Sequence, residues 1–503
     1  MYKKLFIAFF VSLLSFFNGL TQTTSPKIIG ANNVVKKIEG ILLDQDTKLP
    51  LPYANVIVLH KDKGSTTNET GYFSINNVEL KVTDTISFHY IGYQPKKILI
   101  GELQNNQPIF LKEEIVSLSE FFVFANNHNA EDIIKKIIKN KATNYKASTS
   151  KKQLFIRQRF ISDIGNIDIK FQKSSFSQLD EKMTRLVEKK IPKHSISYTD
   201  FLGEAYFSKN NKDTVKINPI KVVSLKDKSL ADFDELEKMF TKIFENTKEN
   251  EYWKIKSGII GGKVDVNEED SIVKKDSLND YYTTHYYAKR IDTRYRKLLN
   301  DKDEWDFLYH TSDYEYTLIG GTKINGEDVY IINFSPKKGG KFIGKVYVSI
   351  DTYALVKADY HYDVGKTGTN IHLLGVGYTA NQMDVSVYFE KNKDNYQLKY
   401  YAKKIGHKMS FDRNVSLLKK KKRFLIDKEL NEIKVRLNLS VKEESSVEML
   451  ILNNKDITNQ NFIDFKQKNN FKIIYVDQFN DDIWKGYNII EPTKQMRDYK
   501  KID

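Results

Sequence analysis

The runs Ile38-Glu-Gly-Ile-Leu-Leu-Asp44, Leu49-Pro-Leu-Pro-Tyr-Ala-Asn-Val-Ile-Val58, Thr66-Thr-Asn-Glu-Thr-Gly-Tyr-Phe-Ser-Ile75 and Thr85-Ile-Ser-Phe-His-Tyr-Ile-Gly-Tyr93 decide how the chain begins to fold. Each is short and rich in β-branched and aromatic residues, and Gly, Pro, Asn or Asp separates one from the next. Runs that recur about every ten residues in this way are the pattern of a small antiparallel sandwich. Inside it, Thr67-Asn-Glu-Thr-Gly71 reads as a turn in which Gly71 is free to take positive φ. Gly92 is expected to end or bulge the strand Ile86–Ile91.

Residues Gly40, Asp44, Pro50-Leu51, Ala54-Asn55-Val56, Thr67, Gly71-Tyr72-Phe73, Ser87 and Tyr90-Ile91-Gly92-Tyr93 together resemble the carboxypeptidase-regulatory-like, or transthyretin-like, domain. The resemblance implies a non-catalytic module of the kind abundant in envelope proteins of Bacteroidota. The expected domains are the sandwich over 36–115 and a β-rich α+β domain over 126–503 that resembles an uncharacterised one in the same bacterial proteins, preceded by a signal peptide over 1–22 that is read from the N-terminal residues themselves. The fold class expected is mainly β with some α, the larger domain carrying a curved antiparallel sheet.

Outward from the sandwich, the N-terminus has the layout of an export signal. Lys3 and Lys4 precede an uncharged apolar run from Leu5 to Phe17, then small and polar residues. Thirteen apolar residues fall short of the roughly 20 that span a bilayer. No cysteine occurs anywhere, so a lipid-bearing N-terminal cysteine, disulfides and thiolate metal sites are all excluded. The address read from these features is exported, in the periplasm or at the outer membrane, with no transmembrane helix once the signal is removed. Thr24 to Lys37 is polar and expected to be a flexible lead-in.

A chain of 503 residues has room for several cores, and 30 Tyr with 30 Phe favour strands. The formal charge is +15, or +13 with Lys3 and Lys4 set aside. The lysines are scattered among acidic residues, which argues against nucleic acid as a partner.

At Ala130 the period changes. Ile133, Ile134, Ile137, Ile138 and Ala142 form one helical stripe, Asn129 is placed to cap it, and a domain cut falls near residue 125. Further helices are expected around Ser174–Leu186 and over Ala231–Thr247, where Phe233, Leu236, Phe240, Ile243 and Phe244 recur at helical spacing. Beyond Trp253 the chain reads as strands and hairpins. Gly320-Gly321 and Asn325-Gly326 supply turns, and Phe342–Tyr362 alternates about a turn at Asp351-Thr352. Val385–Phe389 pairs with Tyr396–Tyr400 around Asn392 to Asn395. The rhythm of Val329 to Val356 is similar to the curved sheet of periplasmic lipoprotein carriers, which shelter acyl chains in an incomplete barrel.

Chemistry-bearing patterns are sparse. His128-Asn-Ala-Glu131, with His194 and His285 downstream, has the two-ligand spacing of zinc carboxypeptidases, but it sits at a helix start with no peptidase-like α/β pattern around it. His-Glu-x-x-His, Gly-x-Ser-x-Gly and a phosphate loop are all missing. Asp44 and Asp46 fit a strand-end turn better than a calcium site, and Gly365 to Gly377 fits turns as well as a ligand loop. Lys419-Lys-Lys-Lys-Arg423 reads as a solvated hairpin tip or edge guard; the other reading is contact with anionic headgroups or glycan. No catalytic, cofactor-binding or metal-ligating residue is therefore assigned.

The expected role is a non-enzymatic binding or scaffolding component. Its partner would be an envelope protein, a glycan or a lipid. The alternative is a lipid or lipoprotein carrier or sensor built on the curved sheet, and a third reading is a hydrolase whose site the sequence does not betray. A TonB-dependent receptor shares the first domain, but no long array of lipid-facing strands follows here.

Overall fold

The computed structural model describes residues 34–61, 63–103, 107–115, 129–177, 179–210, 215–225, 247–248, 250–258, 260–264, 281–484, 487 and 489–499. The leader over 1–22, the expected helix over 231–246, His128 and the cut near 125 lie outside the described residues.

The fold is mainly β with some α, as the sequence indicates. The first strands are β1 (Val34–Asp44), β2 (Asn55–Val58), β3 (Lys63–Thr66), β4 (Tyr72–Lys81), β5 (Thr85–His89), β6 (Lys96–Leu99) and β7 (Pro108–Leu111). They form two sheets, β4-β1-β7 and β3-β2-β5-β6. Alternate residues point between the sheets: Leu42, Val56, Val58, Phe73, Ile86 and Phe88 are fully buried there, with Phe73 edge-on to Phe88 at 5.4 Å. The Thr67–Gly71 segment is a turn in which Asn68 Oδ1 accepts from Thr70 N–H at 2.9 Å, and Gly71 takes φ +73°. Strand β1 starts inside the stretch read as a lead-in.

The rest of the described chain is organised by one 14-stranded sheet. Its strands are β8 (Ser150–Ser174), β9 (His194–Phe207), β10 (Lys216–Leu225), β11 (Glu251–Ser257) and β12 (Ile260–Val264). After β13 (Tyr281–Thr283) come β14 (Tyr314–Ile324), β15 (Glu327–Pro336), β16 (Phe342–Ser349), β17 (Leu355–Tyr362) and β18 (Asn370–Leu373). Then follow β19 (Val376–Asn392), β20 (Asn395–Lys421), β21 (Lys428–Asp456), β22 (Asn470–Lys472) and β23 (Ile474–Val476). The main path runs β14-β15-β16-β17-β19-β20-β21-β8-β9-β10-β23, with β11–β12 on β20, β18 on β19, and β13–β22 a separate pair. The path has two ends, so the sheet is open and not a closed barrel.

Helices cover one face. The helix Ala130–Asn144 is capped by the Asn129 side chain accepting from Glu131 N–H, and Ile133, Ile134 and Ile137 are fully buried. Tyr287 and Ile291 of the helix Thr284–Lys297, with Trp305 and Phe307, join the same core. The sandwich and the C-terminal segment cover the other face: Tyr53 stacks on Tyr400 of β20 at 4.9 Å, and Trp484 meets Phe155 of β8 at 5.5 Å. This double cover corrects the alternation expected for Phe342–Tyr362. Val346 to Ser349 and Leu355 to Ala358 are buried on both faces, as in a sheet with a layer on each side.

Two further expectations change. Gly320-Gly321 is no turn but lies within β14, where the register slips between Leu318 and Gly320. The helix placed around Ser174–Leu186 spans Glu181–Lys190, because β8 continues to Ser174 and Asp180 Oδ1 accepts from Met183 N–H at 2.8 Å. Asn325 and Gly326 form the expected turn, with φ +49° and +83°.

Candidate functional site

Where the sandwich meets the sheet, a cleft of about 770 Å³ opens between them. From the sandwich, the loop after β1 supplies Asp44 and Leu49, the turn after β3 supplies Glu69, and the turn after β5 supplies Tyr90 and Tyr93. From the sheet, Glu315, Lys345, Tyr347, Asp359, Asp384 and Lys403 line it. Its lining therefore mixes tyrosine rings, aliphatic carbon and charges of both signs.

The charges are largely engaged. Burial pushes the Asp44 carboxyl up, but the Tyr93 hydroxyl and the N–H groups of Thr47 and Asp46 outweigh it and hold the group below the usual range. Thr47 N–H donates to Asp44 Oδ1 at 2.6 Å and Asp46 N–H at 2.8 Å, so Asp44 serves the strand-end turn. Glu113, just past β7, accepts from Tyr347 hydroxyl at 2.6 Å and from the Lys345 ammonium. Asp359 Oδ1 accepts from Ser386 at 2.6 Å, and Oδ2 lies 2.9 Å from the Lys357 ammonium.

Lys357 is the central oddity. It is 2% exposed, and apart from the Asp359 carboxylate its Nζ has no polar partner among the described residues. It instead faces the rings of Tyr90 at 4.0 Å, Tyr347 at 5.0 Å and Tyr93 at 5.9 Å. An ammonium held this way draws on ring quadrupoles where water is absent. Gly92, between the two sandwich tyrosines, has φ +81°, and a Cβ there would sit 3.1 Å from Tyr347. Only glycine lets the backbone approach that ring without strain.

Deeper along the interface, Arg159 reaches Glu69 at 3.2 Å and also pairs with Glu444. Beside it Arg157 is fully buried and forks onto Asp200 at 2.8 and 2.7 Å, while its third nitrogen donates to Ile490 carbonyl at 2.8 Å. Glu448 accepts from Tyr400 hydroxyl at 2.8 Å. Its burial, and then the neighbouring Glu69 carboxylate, raise its pKa well above the ordinary range.

The residues weighed in the sequence do not meet here. Glu131 accepts from Thr311 at 3.1 Å and pairs with Lys135 at 2.9 Å on its own helix. His194 pairs with Asp163 across β8 and β9, and His285 is exposed on another element. Among the described residues no three His, Asp or Glu side chains converge as metal ligands. Lys419–Arg423 runs from the end of β20 into the β20–β21 connection. The cleft residues themselves escape sequence reasoning, because Tyr90-Ile-Gly-Tyr93 reads as a fold signal and Lys357 as one step of an alternating strand. A lysine flanked on both sides by β-strand apolar residues is the available hint.

Comparison with known proteins adds one domain. Residues 38–123 match the CarboxypepD_reg-like domain family. No curated protein matches the chain. Among solved structures, an outer-membrane lipoprotein-sorting protein domain from Vibrio parahaemolyticus is 9% identical, over 66% of this chain and 97% of that one, with a TM-score of 0.20. The MucA/MucB complex of Pseudomonas aeruginosa gives 9%, 62%, 94% and 0.16 for the same quantities. A membrane-associated protein of unknown function from Bacteroides fragilis gives 10%, 83%, 97% and 0.12. At these TM-scores the likenesses carry no argument. Among the described residues no helix is long and apolar enough to cross a membrane.

Proposed function

We propose that this chain is a non-catalytic binding component of the bacterial envelope, and that its ligand occupies the cleft between sandwich and sheet. One observation carries the reading: a cleft of about 770 Å³ whose walls present tyrosine rings beside carboxylates and ammonium groups. That volume is within the range of small-molecule and cofactor sites. The lining is largely apolar and aromatic, and Asp359 and Lys403 are already paired with Lys357 and Glu304; a glycan or an extended peptide, with apolar faces for the tyrosine rings and hydrogen-bonding edges for Glu315 and Asp384, fits it. Desolvating those charges against hydrocarbon would be unfavourable. The export address rests on the leader Lys3–Phe17, and the absence of turnover on the lack of any nucleophile or metal pattern in the sequence.

The test is a thermal-shift screen of the purified protein against glycan and peptide panels beside fatty acids, followed by calorimetry of any hit. A polar ligand should raise the melting temperature, and Asp384→Asn with Glu315→Gln should weaken it at least tenfold. A fatty acid as the best hit, displaced by no polar ligand, would move the assignment to the carrier. Turnover of a peptide or glycan panel, lost on adding a chelator, would refute the non-catalytic reading.

A further inference from the structure

The longest strands of the sheet, β20 and β21, pair from Tyr400 and Leu450 to Lys421 and Lys428, and end in the six-residue connection Lys422-Arg-Phe-Leu-Ile-Asp427. At its apex Phe424, Leu425 and Ile426 are 101%, 87% and 82% exposed. Three consecutive large apolar side chains in water are unfavourable unless something covers them. Among the described residues no strand competes for them: β11 pairs with β20 no further than Lys421, and β8 with β21 no further than Ile433.

The tip is held in shape. Arg423 N–H donates to Asp427 Oδ1 at 3.1 Å, Tyr252 hydroxyl to Oδ2 at 2.6 Å, and Lys422 N–H to Asn250 carbonyl at 2.8 Å. The one acidic side chain of the connection is thereby turned back into the sheet. Glu251 is likewise engaged, with Lys419 at 3.0 Å. Around the apolar apex stand five cations, Lys420, Lys421, Lys422, Arg423 and Lys428, against one exposed carboxylate, Glu429 opposite Lys420, and no described carboxylate forms an ion pair with Lys421, Lys422 or Arg423. Lys263 adds a further cation, its ammonium 4.5 Å from the Tyr252 ring.

An apolar point ringed by cations matches the layered chemistry of one partner. The acyl boundary of a bilayer takes the three side chains, and its anionic headgroups lie level with the ring of lysines. A soluble acidic partner would satisfy the cations but leave Phe424, Leu425 and Ile426 in water. We infer that the β20–β21 tip is a bilayer-insertion site, in which Phe424-Leu425-Ile426 enter the interface of an anionic membrane while Lys420–Arg423 and Lys428 contact its headgroup phosphates. The cleft-lining residues of β20, up to Lys404, lie 17 residues from Lys421 on the same strand. That is roughly 55 Å at about 3.3 Å per residue. The lipid contact and the ligand cleft are therefore separate sites.

The test compares the full chain with Phe424→Ser/Leu425→Ser/Ile426→Ser by flotation with vesicles of phosphatidylglycerol and phosphatidylethanolamine. The leader is common to both, so its contribution cancels. The three side chains are 82% or more exposed, so the triple variant should keep the wild-type circular dichroism and melting temperature. Losing three buried apolar side chains should lower vesicle partitioning by about 100-fold or more. Binding should also weaken as salt rises and on purely zwitterionic vesicles. A second variant, Phe424→Trp, reports locally: the native Trp253, Trp305 and Trp484 are all buried, so a vesicle-induced blue shift would come from position 424. Equal vesicle binding by wild type and triple variant, or an indole emission of the Phe424→Trp variant unmoved by bound vesicles, would overturn the proposal.

Discussion

Tyr90→Leu tests whether the sandwich is clamped to the sheet through the buried ammonium of Lys357. The substitution keeps an apolar side chain in place but removes the nearest ring face, 4.0 Å from Nζ. A desolvated cation–ring contact contributes up to about 2 kcal/mol. The Tyr90–Tyr93 pair, 5.0 Å apart, is lost as well, but it lies within the sandwich, so its ~0.5–1.5 kcal/mol comes off the sandwich's own stability and not off the docking. The Asp359 carboxylate, 2.9 Å from Nζ, and the Tyr347 ring stay in place, so about 2 kcal/mol is an upper bound. Docking should weaken by up to about 2 kcal/mol.

Hydrogen exchange reads this directly. Amides tied across the docking turns, Tyr93 N–H to Tyr90 carbonyl at 3.1 Å and Glu114 N–H to Gly92 carbonyl at 2.8 Å, should exchange faster. The acceleration expected is up to about 30-fold, at 1.36 kcal/mol per decade. Lys357→Met in the same background isolates the ionic share. With the charge gone, Tyr90→Leu should cost up to about 2 kcal/mol less. A coupling energy within about 0.5 kcal/mol of zero would refute the cage and leave simple packing.

Other consequences follow from burial and charge. Val56→Ala, at a fully buried position of β2, should destabilise a fragment of residues 36–115 by about 1–3 kcal/mol in chemical denaturation, and that fragment should unfold cooperatively. Arg157→Met strands the buried Asp200 carboxylate and should cost about 3–5 kcal/mol in the same assay. Glu448 holds its proton more tightly folded than unfolded, so its contribution to stability is present at acid pH and is lost as pH rises from the ordinary carboxylate range toward neutral. Glu448→Gln should flatten that slope, at most about 1.4 kcal/mol per pH unit, in melts recorded from pH 4 to 8.

The sandwich was legible because each of its turns carries local chemistry: Asn68 accepts from its own turn and Gly71 takes the φ only glycine takes freely. The hairpin Phe342–Tyr362 and the pairing of Val385–Phe389 were legible for the same reason. Strand length was not. β8 runs 25 residues through Asp163, Gly165 and Asn166 because β21, far along the chain, pairs with it almost throughout, and no local signal records so distant a partner. The cleft was illegible on different grounds. Period-2 alternation tells which face a residue takes, but it does not distinguish water from a second domain. Lys357 was thus placed correctly on its strand, while the rings of Tyr90 and Tyr93 that cover it belong to the sandwich. At Lys419–Arg423 the charge run was visible, whereas the exposure of Phe424 to Ile426 follows only from where the ladder stops.

How stiffly the sheet joins its two ends can be argued from the ladder. A free two-stranded ribbon is marginally stable in water and twists strongly. The β20–β21 hairpin is not left as one. On the β20 side, β19 pairs from Asn395 to Phe411, and β11 takes over from Ser416 to Lys421. On the β21 side, β8 pairs from Ile433 to Asp456. Only Lys428 to Glu432 next to the connection lacks a neighbour on that side among the paired strands, and even there Ser175 N–H donates to Glu432 carbonyl at 2.8 Å. Below the tip, Phe411, Val415, Leu437, Leu439 and Val441 form their own buried cluster, so the extension carries a core as well as a ladder. A chain without cysteine has no covalent staple for so long a projection, and this bracing takes that role. Fraying the projection would break hydrogen bonds in several neighbouring strands at once, so the tip is held on the same continuous ladder that lines the cleft.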